Sequence, residues 1–198
     1  MGGRKEYAAG VRTPGSAAPA LSKVREGGRR MVDMATTVKQ MARKLQVDIA
    51  AFGKMRAAGK PQTFPKFRDI RDRYRDIVGL IFSIEERIPY IKDELPANMA
   101  QWAVRQKLNA LAIFTDISYL FIKDPPLALT SSLGATDLLN AERDSFTKSL
   151  EFFDMMLFEA GIDDKMADEL DATRGKIEEI LKMIDKLLLK SPKVLQEF

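Results

Sequence analysis

Residues 67–88 read FRDIRDRYRDIVGLIFSIEERI. Ile70, Tyr74, Ile77, Ile81, Ile84 and Ile88 recur at alternating spacings of four and three, which places them on one side of a helix as a packing seam. Arg71, Asp72, Arg75 and Asp76 flank the seam. Opposite charges three and four apart stabilise an exposed helical face by about a few tenths of a kcal/mol per pair. The arginines could also contact RNA, but the interleaved aspartates work against a phosphate backbone.

Working towards the C-terminus, Pro89 ends this helix and Pro96 marks the boundary to the next. That next segment, ELPANMAQWAVRQKLNALAIFTDISYLF (94–121), carries Met99, Trp102, Leu108, Leu111, Ile117 and Leu120 until Asp124-Pro125-Pro126 stops it. Trp102 is the only tryptophan of the chain. It lies about one turn into the helix and beside the apolar stripe, so it reads as a cap on the core near one end of a bundle rather than as a stacking platform. No second aromatic follows at the spacing of a nucleic-acid platform. Leu108–Ile122 is the most apolar stretch, yet Asn109, Thr115, Asp116 and Ser118 interrupt it, which suits a half-exposed helix better than a bilayer.

The uncharged LALTSSLGATD (127–137) reads as a connection, with Thr136 or Asp137 as N-cap of a helix bearing Leu139, Phe146, Leu150, Phe153 and Leu157. Gly161 closes that helix. The last one begins near Asp163 or Asp164, carries Met166, Leu170, Ile177, Ile180, Leu181, Ile184 and Leu188, and ends at Ser191-Pro192. Short links imply antiparallel neighbours. The architecture expected is all-α: an up-down-up-down four-helix bundle over residues 66–191, followed by a tail over 192–198.

Working towards the N-terminus, Met34, Val38, Met41, Leu45, Ile49, Phe52 and Met55 define an additional amphipathic helix within residues 31–60, ended by Gly59 and Pro61. Lys39, Arg43, Lys44, Lys54 and Arg56 occupy much of its other surface, so it could lie on a membrane, dock in a groove or fold back on the bundle. Residues 1–30, rich in Gly, Ala, Ser, Pro and Arg, have too few large apolar side chains to fold alone and read as an extended basic arm. AAPAL is too short for the apolar core of a secretory signal, while the Ala, Ser and Arg enrichment is reminiscent of organelle-targeting peptides.

Charge is divided along the chain. Residues 1–68 hold 15 Lys and Arg against 4 Asp and Glu, a balance of +11, whereas residues 69–198 hold 17 against 24, a balance of −7. Such an arm favours an acidic surface, whether nucleic acid, anionic lipid or protein.

The chain has neither cysteine nor histidine. Thiolate and imidazole zinc sites, Ser/His/Asp triads and Cys/His pairs are therefore excluded. Gly27-Gly28 lacks the strand and helix of a phosphate loop. EAGIDDKMADELD (159–171) lacks the alternating ligands and central glycine of a calcium loop, and reads as an acidic helix start. Nothing in the sequence supports catalysis.

Three segments nevertheless resemble a known family. WAVRQKLNAL (102–111), FTKSLEFFDMMLFEAG (146–161) and KIEEILKMIDKLL (176–188) are similar to the second, third and last helices of the PsbQ family, extrinsic subunits of photosystem II. The resemblance covers about two thirds of the chain and rests on diffuse helical matches rather than a fingerprint. It implies a cofactor-free, non-catalytic protein of the chloroplast thylakoid lumen. Such a protein would contact the photosystem II core and other extrinsic subunits and stabilise ion retention in the oxygen-evolving complex. Carried over by position, the contact segment would be Arg4, Lys5, Arg12, Lys23, Arg25, Arg29 and Arg30, with Lys39, Arg43 and Lys44 following on the helix. The arm is less proline-rich than the plant pattern, and the helix within 31–60 is additional to it. The alternative is a helical bundle that uses the same arm for nucleic-acid phosphates, which the acidic body and missing stacking set disfavour.

Overall fold

A computed structural model describes the backbone of residues 20–126, 133–160 and 164–190, and the side chains within these segments except at 20–32, 133, 154, 159–160 and 164–166. Arg4, Lys5 and Arg12 and the tail over 192–198 lie outside the described residues. The chain is all-helical, with no strand among the described residues. Its helices are α1 (Ala20–Ala57), α2 (Phe64–Glu85), the short α3 (Ile88–Ile91), α4 (Met99–Lys123), α5 (Leu133–Ala160) and α6 (Asp164–Lys190).

α1 starts eleven residues before Met31, so residues 20–30, expected as part of an extended arm, are helical. Its end is the expected one. Ala58 N–H donates to the Lys54 carbonyl at 3.0 Å and Gly59 N–H to that of Arg56 at 3.1 Å, with Gly59 at φ +84°. A left-handed residue just past a helix favours glycine, which has no Cβ to clash there. After a short turn, the Thr63 hydroxyl accepts from Lys66 N–H and a proline stands in the first turn of α2, where its missing N–H costs nothing.

The seam of α2 faces inward: Ile77, Ile81 and Ile84 are buried, and Ile70, Tyr74 and Ile88 pack against them. The end of α2 differs from the sequence expectation. The helix stops at Glu85, and Pro89 lies in the first turn of α3 rather than closing α2. A 3-10 turn at Lys92–Glu94 follows, and Ile91 and Leu95 seal that end of the core.

α4 is the central element and packs against α1, α2, α5 and α6. Ala110, Leu111, Ile113, Phe114, Thr115, Ile117 and Ser118 are buried on successive sides, which a helix surrounded by others requires. The half-exposed helix expected here is therefore corrected: Thr115 and Ser118 are in the interior, and over Leu108–Ile122 the surface is reached by the exposed Asn109 and Leu120 and the half-buried Ala112, Asp116 and Tyr119. Contacts along the helices run in opposite senses for α2 and α4, with Phe67 on Phe121 and Tyr74 on Phe114.

An aromatic column crosses four helices. Phe52 of α1, Tyr74 of α2, Phe114 of α4 and Phe146 of α5 follow one another with ring centroids 6.4, 4.4 and 5.6 Å apart. α1 is thus no accessory. Ala35, Val38, Leu45, Ile49 and Phe52 are buried in the same core as the other helices, and removing them would expose a face of α2 and α4. α5 begins at Leu133, so Thr136 and Asp137 lie inside the helix rather than at its N-cap.

Candidate functional site

Two periodic faces divide α1. With Val38, Leu45, Ile49 and Phe52 turned to the core, Lys39, Arg43, Lys44 and Lys54 fall on the opposite side and are exposed. Lys44 pairs with Asp48 one turn on. Lys39, Arg43 and Lys54 make no ion pair among the described residues, so their charge is available to a partner. Lys23, Arg25, Arg29 and Arg30 belong to the same helix by backbone, and their side chains lie outside the described residues.

The C-terminal end of α1 is fastened to the centre. Asp116 of α4 accepts from Lys176 of α6 at 2.6 Å and from Arg56 of α1 at 3.4 Å, so one carboxylate joins three helices. Lys60 reaches Asp124 at the far end of α4. These exposed pairs contribute about 1 kcal/mol or less each. Their greater effect is to fix how the cationic face of α1 is presented.

Beneath the surface, Arg71 of α2 donates to Glu142 of α5 at 3.1 Å. The sequence expectation put Arg71 on an exposed face among intrahelical pairs; instead its side chain is 16% exposed and crosses to a carboxylate inside the core. Burial holds the Glu142 carboxyl above its usual range, an effect that its hydrogen bond to Arg71 and the charges of Arg71 and Arg75 offset in part. Burial, then the nearby Glu142 charge, raises the Tyr74 hydroxyl as well. The contact uses one nitrogen and one oxygen. Arg71 Nε and Glu142 Oε2 are buried without a hydrogen-bond partner among the described residues.

Two clefts open beside this core. One, about 680 Å³, lies between α4 and α6 and is bordered by Trp102, Arg105, Asn109, Asp116, Thr173 and Lys176. Trp102 is half-buried and packed against the core near the start of α4, while one side of it meets this polar cleft. The other, about 710 Å³, is an apolar groove with α2 and α5 as walls and α4 as floor.

Among the described residues no group of three or more carboxylates gathers as a metal site. Most of the acidic stretch 159–171 lies outside the described side chains. Glu85 is half-buried and pairs with Lys107 at 3.5 Å. Comparison with known proteins finds no matching family model, curated protein or solved structure.

Proposed function

We propose that this chain is a non-catalytic docking subunit that attaches to an acidic partner surface through α1 and the basic residues preceding it. On the resemblance of its helices, that partner is the lumenal face of photosystem II, with its core and other extrinsic subunits. In this reading α2, α4, α5 and α6 form the up-down-up-down four-helix bundle of such subunits. α1 braces the bundle and carries the contact, and the bound protein stabilises the oxygen-evolving complex and its retention of ions.

The observation that carries the reading is the division of α1. Its large apolar side chains other than the exposed Val47 are turned to the core, while Lys39, Arg43 and Lys54 stand unpaired on the exposed side among the described residues. A membrane-surface helix would present an apolar stripe to the lipid instead. Among the described residues no helix is long and apolar enough to cross a membrane.

With no histidine, the chain has no side chain whose ordinary pKa lies between about 5 and 8. The dock should respond to salt more than to mild acid. The test is to isolate thylakoids from the source cells, follow the chain by mass spectrometry, and wash with about 1 M salt, where screening acts within about 3 Å. Copurification with photosystem II and release by salt is the expected result. Absence from thylakoids sinks the partner assignment, and retention through the wash sinks the electrostatic dock.

A further inference from the structure

The apolar groove between α2 and α5 is unused by this docking reading. At one end its walls are joined by Arg71 and Glu142. About one turn beyond Arg71 stands Arg75 on the α2 wall, and nearly two turns beyond Glu142 stands Lys148 on the α5 wall, both exposed and without an ion pair among the described residues. Beyond them the lining turns apolar, with Val78, Leu111, Phe82, Phe152 and Met156, and Phe82 and Phe152 remain 56% and 52% exposed. The floor cation Lys107 is already neutralised by Glu85. The groove therefore carries its unpaired cations, Arg75 and Lys148, towards one end and its exposed aromatic side chains, Phe82 and Phe152, beyond them.

We propose that this groove binds a long-chain fatty carboxylate, its carboxylate between Arg75 and Lys148 and its chain along the apolar walls towards Phe82 and Phe152. Charge complementarity selects the head group. The ten residues from Arg75 to Glu85 run about 15 Å, the reach of an extended acyl chain. The groove volume, about 710 Å³, falls in the usual range of small-ligand sites, about 300–1,000 Å³.

Gly79 stands mid-helix on the groove wall with open space where a Cβ would be, as at Gly53, Gly134 and Gly175, so a larger side chain can be placed there without a clash.

The test titrates the full-length chain with cis-parinarate, a fluorescent fatty carboxylate, and displaces it with dodecanoate or the uncharged dodecanol. Saturable one-to-one binding is expected. Gly79→Leu fills the groove with a better helix former, so it should melt no lower than wild type yet bind at least about tenfold more weakly. Arg75→Gln with Lys148→Gln should weaken dodecanoate by about tenfold or more and leave dodecanol unchanged. Absence of saturable binding overturns the proposal, as does undiminished binding by a folded Gly79→Leu. A wild-type dimer that Gly79→Leu converts to monomer in sedimentation also overturns it, since the groove would then hold a second copy.

Discussion

Arg71 and Glu142 meet at 3.1 Å through one nitrogen and one oxygen, deep between α2 and α5, and leave Arg71 Nε and Glu142 Oε2 without partners. A buried pair of this kind is poorly repaid for its desolvation, yet removing either half strands the other. Glu142→Ala is expected to cost about 3 kcal/mol. The double variant Arg71→Met with Glu142→Leu should recover most of that loss or exceed wild-type stability. Urea unfolding of the wild type, the single and the double variants checks both statements.

The same pair sets a pH dependence. The folded-state pKa of Glu142 is raised above its unfolded value of 4.5. Between those two values the folded protein binds more protons than the unfolded chain, so this contribution to stability is full below the unfolded pKa and is lost as pH rises through the folded one. Relative to the Arg71→Met, Glu142→Leu variant, wild type should gain stability as pH falls from neutrality towards 4.5. Parallel unfolding curves at several pH values measure the difference; a gain in the opposite direction contradicts the assignment.

Asp116 offers a contrast. Its carboxylate joins Arg56 and Lys176, but those side chains are 50% and 41% exposed, so water and salt screen the pairs. Asp116→Asn should cost about 1 kcal/mol or less, and the loss should shrink as salt is added. A cost equal to that of Glu142→Ala, insensitive to salt, would contradict this ranking.

Thr115 and Ser118 are fully buried on α4, and their hydroxyls find no partner among the described residues. Thr115→Val keeps the shape and removes an unpaired polar group, which should stabilise by about 1 kcal/mol. For a chain of this size that raises Tm by about 2–4 °C. Calorimetry provides the check, and a lowered Tm would mean that the hydroxyl is satisfied.

The helices were legible where pattern and burial agree. The seam of α2 and the glycine stop of α1 follow from spacing and backbone preference alone. Glu142 stood outside the apolar set by which its helix was traced. Its position had signalled burial, since it lies three residues after Leu139 and four before Phe146, both core residues of α5. The interior place of α4 was hidden for a related reason: Thr115, Asp116 and Ser118 look polar in sequence, while their surroundings are supplied by four other helices remote in the chain. Pro89 ended no helix because a proline fits the first turn of the next one equally well. The groove has no local signature at all, since its walls come from segments some seventy residues apart.

The central claim is that the cations on the solvent side of α1 make the dock, and rebinding tests it most directly. Thylakoid membranes carrying photosystem II are stripped with salt, returned to low salt, and titrated with wild type or with Lys39→Glu, Arg43→Glu, whose exposed positions leave the core untouched. The account predicts saturable rebinding of the wild type that salt reverses and the variant loses. Equal rebinding by the variant would contradict it.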